Sequence, residues 1–483
     1  MAEEQIILRG NEVFGIEVRG FDHIPEPERN MTLPQVSYFW VGNSVNMLSF
    51  ALGALAIGLG LNLWVALAAA LAANLLYALM GFGSILTVRA GLPVSTLARA
   101  AFGIRGNLPN ALLCWVSSVA FEVINTIFGV EALLALFKLL GWSDPGSMGK
   151  LIAVILQLLL CGGIAVLGHA TMVWFQRLVC GFIGVVLLIV LAFTIGKVDW
   201  AHASVAHAHL GSSTVLGAFL TAGAVIASNP LSYLFNGPDW VRYLPAATPP
   251  RPIFWRVFWA AFVPSLLLTV MGVYCATLGD MSDLVAGLKP FLPAWLFLLY
   301  IVAVVAGSIA NTVPTYYSSG LTLQAIGLKV HRYIATILDV TVATLITLYI
   351  VFVQDFTTAL NDFIAVLVMW VGPFGGVWMC DGWLRRGKFD PGAIHTRSRA
   401  GSYWGWRGLN VPGCIALLCG MGVAAMTMRS PIFDGPWANA LGGADLSWLL
   451  GFPVSAVVYY ALVAVSSRRA VEAAALQSHD FKM

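Results

Sequence analysis

The chain has 483 residues, of which 59% are hydrophobic and only 10% charged, and its mean hydropathy is +0.84. Soluble domains run nearer a quarter charged, so this composition excludes a water-soluble globular fold and predicts an all-α integral membrane protein. The formal charge of +3 and the lack of a basic stripe give no basis for nucleic-acid binding.

Residues 1–36 are polar and mixed in charge (Glu3, Glu4, Arg9, Glu12, Glu17, Arg19, Asp22, Glu26, Glu28, Arg29) and read as a cytoplasmic segment, not a cleavable signal. A hydrocarbon core needs about 20 apolar residues per helix. Runs that meet this lie near 37–61, 63–88, 109–139, 149–168, 172–196, 213–236, 254–279, 291–324, 333–353, 358–383, 409–428 and 446–466, which predicts twelve spans. The run at 109–139 is longer than a straight crossing requires and predicts tilt. The expected organisation is a ten-helix core over 37–383, a cytoplasmic loop at 384–408, two additional helices over 409–466 and a cytoplasmic tail at 467–483.

Lysines and arginines sort sharply in an alternating twelve-span topology. With both termini cytoplasmic, 21 of the 26 lie inside, and only Lys138, Lys150, Lys197, Lys289 and Arg429 lie outside. The positive-inside rule therefore places both termini in the cytoplasm, in a cell (inner) membrane. The Arg385–Arg407 cluster reads as a topology determinant near anionic headgroups.

Two spans are interrupted in corresponding places. The first carries Gly42, Asn43, Ser44, Asn46, Ser49 and Gly53 inside an apolar run, and the sixth carries Ser228-Asn229-Pro230. Interior proline removes an amide donor and ends or kinks a helix. In lipid, freed backbone groups persist only where protein or a cavity satisfies them, so a matched pair of broken spans points to a transporter's binding site. Five helices separate the two, which predicts two five-helix repeats of opposite orientation plus two extra helices.

Polar residues inside the spans are the candidate functional groups, because burying them unpaired costs several kcal/mol. On span 3, Phe121, Glu122, Asn125 and Gly129 share one helical face. A flat ring needs a π surface and an amide able to donate and accept at its edge, which Phe121 and Asn125 supply. Glu122 is a mid-membrane carboxylate, by default a marker of an ion or substrate path, and burial favours its neutral form. It is the candidate for proton coupling as well as a possible partner for ring NH groups. On span 6, Ser228 and Asn229 offer hydrogen bonds, with Tyr233 or Phe235 as the ring. The seven cysteines are scattered with no C-x-x-C pair, so no metal or redox cofactor is expected. His202, His207 and His209 read as a solvated loop, and Asp239 with Arg242 as an inner-mouth ion pair. No P-loop, Ser-His-Asp set or metalloprotease motif occurs, which argues against an enzyme.

Four stretches are similar to the nucleobase–cation symporter family, the purine–cytosine permeases and relatives. They are Phe39-Trp40-Val41-Gly42 through Leu55, the loop Ala101-Phe-Gly-Ile-Arg-Gly-Asn107, the exit Asp239-Trp-Val-Arg242-Tyr243-Leu244-Pro245, and Asn311-Thr-Val-Pro314-Thr-Tyr316-Tyr-Ser318-Ser-Gly320-Leu, the last resembling the fungal-type purine–cytosine branch. The resemblance covers roughly residues 25–410. It implies a LeuT-like five-plus-five inverted repeat that binds a flat heterocycle between spans 1, 3, 6 and 8 and imports it with Na+ or H+. By the same resemblance, Phe121 and Asn125 are stacking and edge-reading positions, and Asn46, Asn311 and Thr315 are substrate-side groups. The carbonyls of Gly42, Val45 and Ala306 line the cation site. Two departures stand out. Ile309 and Ala310 occupy places where sodium-coupled members carry hydroxyls, with Ser308 in reach if the register slips by one. Hard cations need oxygen ligands, so a proton is favoured. Span 6 carries Ser228-Asn229-Pro230 where relatives put an aromatic lid, which leaves a B6 vitamer, thiamine precursor, hydantoin or allantoin as alternative cargo. A receptor or channel without coupled uptake is the rival from another class; a channel needs a continuous polar stripe, and here the polar residues cluster near mid-membrane.

Overall fold

The computed structural model describes residues 12–17, 19–203, 214–279, 281, 283, 285–353, 356–430 and 433–480; for 356–362, 364–366 and 466–480 it describes only the backbone. All twelve apolar runs are helical. Span 1 is Leu33–Ser44 plus Met47–Gly58, span 2 is Leu63–Asn74 plus Tyr77–Ala90, span 3 is Asn107–Leu139, span 4 is Gly146–Leu167, span 5 is His169–Thr194 and span 6 is Val215–Ser232. Span 7 is Pro250–Cys275, span 8 is Ala294–Ile326, span 9 is Arg332–Val353, span 10 is Phe356–Leu384, span 11 is Val411–Thr427 and span 12 is Ser447–Asp480. Among the described residues, nine helices are long and apolar enough to cross a membrane, and the two halves of span 1 make a tenth. Span 11, with 17 residues, falls short of the about 20 that a straight crossing needs. Spans 3 and 8 have 33 residues each, or about 50 Å, so they cross at a tilt or project beyond the hydrocarbon.

The packing pattern repeats itself five spans on. Span 1 packs on span 7 as span 6 packs on span 2, and span 5 packs on span 1 as span 10 packs on span 6. Spans 3 and 8 lie together, as do spans 4 and 9, each pair being its own image under the same exchange. This is the signature of an internal two-fold relating spans 1–5 to spans 6–10. Spans 11 and 12 pack on each other and on span 10, outside the repeat.

The two breaks have different chemistry. In span 1 the helix stops at Val45 and Asn46, which adopt non-helical torsions, and the two halves diverge by 48°. The Asn46 side chain then accepts from the Ser49 N–H and restarts the helix as its cap. In span 6 the expected interruption at Ser228-Asn229-Pro230 is displaced. The α-helix runs through Pro230 to Ser232, tightens into a 3-10 turn at Tyr233–Phe235 and breaks at Asn236, whose φ is −140°. Proline deletes one intrahelical bond, and the tight turn that follows, not the proline, redirects the chain.

Where the second half of span 1 meets span 7, backbone touches backbone. A methyl on Gly53 would collide with the Thr269 carbonyl oxygen, and one on Gly272 with that of Phe50. Small residues permit this approach, which lipid-embedded helices use in place of a hydrophobic drive.

Span 2 begins at Asn62, whose side chain accepts from the Val65 N–H at 2.8 Å. Asn62→Ala is expected to cost about 1 kcal/mol through loss of this cap. A modest drop in melting temperature in detergent, with uptake retained, is the outcome to check.

Candidate substrate-binding site

The break in span 1 gathers a polar knot from three spans. Asn311 Nδ2 of span 8 donates to the Asn43 carbonyl oxygen at 2.7 Å and to the Tyr233 hydroxyl at 3.0 Å. Asn46 Nδ2 donates to the same Asn43 carbonyl at 3.2 Å and reaches the Tyr233 hydroxyl at 3.5 Å. All four residues are buried. The freed carbonyl of Asn43 exists because span 1 stops being helical, so the break itself supplies an acceptor. Asn43 Nδ2 and Trp40 Nε1 have no hydrogen-bond partner. The knot therefore offers carbonyl, amide and hydroxyl groups in one buried cluster, suited to the mixed donor and acceptor edge of a planar heterocycle. A small cavity lined by Val45, Asn46, Met47, Phe50, Tyr300 and Gly307 opens beside it.

Other expected residues surround the knot without joining it. Asn125 Nδ2 donates to the carbonyl of Phe121 at 2.8 Å, and the Phe121 ring meets Phe363 of span 10 edge-on at 5.1 Å. Thr315 Oγ1 donates to the Asn311 carbonyl, and Ser228 Oγ to that of Val225, each on its own helix. Asn229 turns to span 1's second half and span 2, donating to Ser49 Oγ at 2.9 Å and to the Tyr77 hydroxyl at 3.3 Å. Tyr233 is the ring from span 6 that reaches the knot; Phe235 stacks on Trp370 instead.

At the expected cation position, the Val45 carbonyl faces Gly307 of span 8. Gly42 lies against the side chain of Gln176 from span 5, whose Nε2 donates to the Ala310 carbonyl oxygen at 2.5 Å. The Gln176 amide thus lies between spans 1 and 8, bonded to span 8 and with its Oε1 unpaired beside Gly42. Ile309 and Ala310 are buried and bring no side-chain oxygen, and Ala306 is half-buried. Ser308 is engaged elsewhere, accepting from Gln157 Nε2 at 2.9 Å and donating to the Val305 carbonyl.

The family model "Permease for cytosine/purines, uracil, thiamine, allantoin" matches residues 23–451. The chain belongs to this permease family. A Bacillus subtilis chain named as a candidate purine-cytosine permease is 24% identical over 466 residues, covering 93% of this permease and 96% of the relative. The purine-cytosine permease fcyB of Emericella nidulans is also 24% identical, over 92% and 88% of the two chains. In fold, the permease is similar to Mhp1, a nucleobase-cation-symport-1 transporter solved closed with a bromovinylhydantoin bound, with TM-score 0.74, 16% identity and coverage of 91% and 93%.

The N-terminal segment docks at one end of the permease, against the end of span 4, the starts of spans 5 and 9 and Tyr243 after span 6. Glu17, 2% exposed, inserts beneath the knot: its Oε1 accepts from the hydroxyls of Tyr243 at 2.5 Å and Tyr317 at 2.9 Å, and its Oε2 from the His169 N–H at 2.8 Å. Arg242 and Arg332 stand 3.9 and 3.8 Å from that carboxylate, and both guanidinium groups lie over the Tyr317 ring. Burial alone would raise the Glu17 pKa, but Arg332 and Arg242 outweigh it and hold the carboxyl below the usual range. Between this cluster and the knot, Trp40, Tyr233 and Trp240 meet one another at ring distances of 4.8 to 5.7 Å.

This arrangement corrects one expected pairing. Arg242 is not the ion partner of Asp239. Asp239 Oδ1 accepts from the Val94 N–H at 2.6 Å, at the start of the short helix Val94–Phe102, and Arg242 turns the other way to Glu17 and the Gly20 carbonyl. Each group is drawn off by another partner: the Val94 N–H takes the carboxylate oxygen, and the Glu17 carboxylate with the Tyr317 hydroxyl, 2.8 Å from Nη2, takes the guanidinium. His202 lies 3.9 Å from Asp199, and His207 and His209 fall outside the described residues.

The sequence reading missed Glu17, Gln176 and Asp339. Asp339 of span 9 is fully buried and accepts from Trp115 Nε1 at 2.7 Å and from Ser319 Oγ at 2.6 Å. It faces Glu122, whose two oxygens are buried without a hydrogen-bond donor. A lone aspartate inside the apolar run 333–353 was signal enough to single it out.

Proposed function

We propose that the permease imports a nucleobase of the cytosine or purine type, or a closely related small heterocycle, by alternating access coupled to a cation. The observation that carries this is the buried knot of Asn43, Asn46, Asn311 and Tyr233 at the break of span 1. The amides of Asn46 and Asn311 bond to the Asn43 carbonyl and the Tyr233 hydroxyl, and a ring edge with adjacent NH and carbonyl groups exchanges for those bonds at little net cost. Phe121 supplies the stacking face, with Asn125 beside it. Tyr233 takes the part of the aromatic lid, and Ser228, Asn229 and Thr315 form the outer polar ring of the site. Spans 3, 4, 8 and 9 then rock against the rest of the bundle, and the Glu17 seal opens toward the cytoplasm, where both termini lie in this reading. The membrane is the cell (inner) membrane.

A proton is favoured over sodium as the driving ion. The carbonyls of Gly42, Val45 and Ala306 are not joined by side-chain oxygens from Ile309 or Ala310, and the Gln176 amide lies between spans 1 and 8. Glu122 is the proton-carrying candidate. The replacement of an aromatic by Ser228-Asn229 on span 6 favours, as second cargo, smaller or more polar rings such as allantoin, a hydantoin, a B6 vitamer or a thiamine precursor.

The test is uptake of radiolabelled cytosine, adenine and hypoxanthine into proteoliposomes, competed by a panel of allantoin, hydantoins, pyridoxine and thiamine precursors, under separate H+ and Na+ gradients. Saturable, proton-driven accumulation of one base is expected. Accumulation driven only by sodium overturns the coupling assignment, and no uptake or competition by any compound of the panel overturns the cargo class.

A further inference from the structure

Glu122 and Asp339 form an isolated acidic pair in the middle of the bundle. Glu122 comes from span 3, Asp339 from span 9, and Ser319 and Tyr316 line the pair from span 8. Cys161 of span 4 is the further titratable group on the elements packed there, near Tyr316. The basic residue on the same helix, Arg332, is turned away to Glu17 and to the carbonyls of Ala165 and Val166. Both acids are fully buried.

The oxygens of the pair are unequal. Asp339 Oδ1 receives two donors, Trp115 Nε1 and Ser319 Oγ. Asp339 Oδ2 and both oxygens of Glu122 receive none, and all three are buried. Two facing carboxylates with three bare acceptors and, among the described residues, no adjacent cation are untenable in a low-dielectric interior. One proton resolves the arrangement: it bonds covalently to a Glu122 oxygen and is donated in a hydrogen bond to Asp339 Oδ2, while the donors on Oδ1 keep Asp339 the ionised member. Facing acids that share one proton are known behaviour for close carboxyl pairs.

We propose that Glu122 and Asp339 are a one-proton binding site, with Glu122 carrying the transported proton and Asp339, fixed by Trp115 and Ser319, acting as its acceptor. This deepens, and rests on, the reading of the permease as a proton-coupled carrier. With one proton the pair holds a single negative charge. Release passes that proton to water and leaves two negative charges, which the membrane interior tolerates only when the path to one side has opened and water reaches the pair. Loading and release are thereby tied to the open states. The pair is built on spans 3 and 9 and lined by span 8, and spans 3 and 8 also carry Phe121, Asn125 and Asn311.

Two readouts test the site. In the purified protein, difference infrared spectroscopy is expected to show the carbonyl stretch of a protonated carboxyl that disappears in Glu122→Gln and shifts in Asp339→Asn and Trp115→Phe. In proteoliposomes, Glu122→Gln, whose amide preserves the hydrogen bond to Asp339, is expected to lower proton-driven accumulation of labelled base at least ~10-fold relative to base exchange at equal pH. Absence of a Glu122-dependent band in the parent protein overturns the proposal, as does a Glu122→Gln variant with undiminished accumulation relative to exchange. Failure of the parent protein to take up any base, with the Glu122 band present, overturns the cargo reading and leaves the proton site standing.

Discussion

Glu17→Ala is expected to unseal the end of the permease at which the N-terminal segment lies, at a cost of about 3–5 kcal/mol. Removing one member of a buried ion cluster is expensive because its partners stay buried: Arg242 and Arg332, neither of them measurably exposed, lose the carboxylate that stands 3.9 and 3.8 Å from them. The tyrosine hydroxyls of Tyr243 and Tyr317 and the His169 amide lose an acceptor at the same stroke. Hydrogen exchange is the direct measurement. The Glu17 N–H, which donates to the Leu167 carbonyl at 3.0 Å, and the His169 N–H, which donates to Glu17 Oε2 at 2.8 Å, are expected to exchange far faster in Glu17→Ala, with Glu17→Gln intermediate because it keeps an acceptor but no charge. Unchanged exchange in both variants refutes the seal. The acid's pKa is held below its ordinary value of 4.5, so its stabilisation is fully present above that value and is lost only as pH falls through the lowered one. Any pH dependence of transport between about pH 5 and 8 therefore has to come from another group.

Asn311→Ala is expected to weaken binding of the transported base by ~10–100-fold, because Tyr233 and the Asn43 carbonyl each lose a hydrogen-bond partner and the ligand loses an amide. The variant is expected to reach the membrane, since the substitution leaves the flanking, fully buried Ala310 and Thr312 of span 8 unchanged. Asn311→Asp separates the roles, retaining acceptors and removing the donor that reaches the Asn43 carbonyl at 2.7 Å. Binding of labelled cytosine or adenine by scintillation proximity reads both. Parent-like affinity in Asn311→Ala removes the knot from the binding site.

Much of the fold was legible because lipid imposes long apolar helices, and polar residues inside them are conspicuous. The span 1 break was readable for that reason: Asn43, Ser44 and Asn46 interrupt the run where the helix stops. Span 6 was misread by position because proline is a louder signal in a sequence than Asn236, whose torsion makes the actual turn. Glu17 was invisible for a different reason. It lies among other charged residues in a polar segment, and its burial depends on tertiary docking against spans 4, 6, 8 and 9 that no local pattern encodes. Gln176 is similar, an amide in a long apolar helix whose meaning emerges only when spans 1 and 8 are seen on either side of it.

The glycine contact between span 1 and span 7 constrains how such a machine moves. With Gly53 against Thr269 and Gly272 against Phe50, the second half of span 1 has no side-chain cushion on that face. Sliding along span 7 would drive carbonyl into Cα, so these two pieces travel together as one lever. The joint next to this lever is Val45 and Asn46, where the helix is interrupted. A joint of that size, with Asn46 at once the cap of one half and a member of the polar knot, makes the geometry of the ligand cluster and the angle of the lever a single variable.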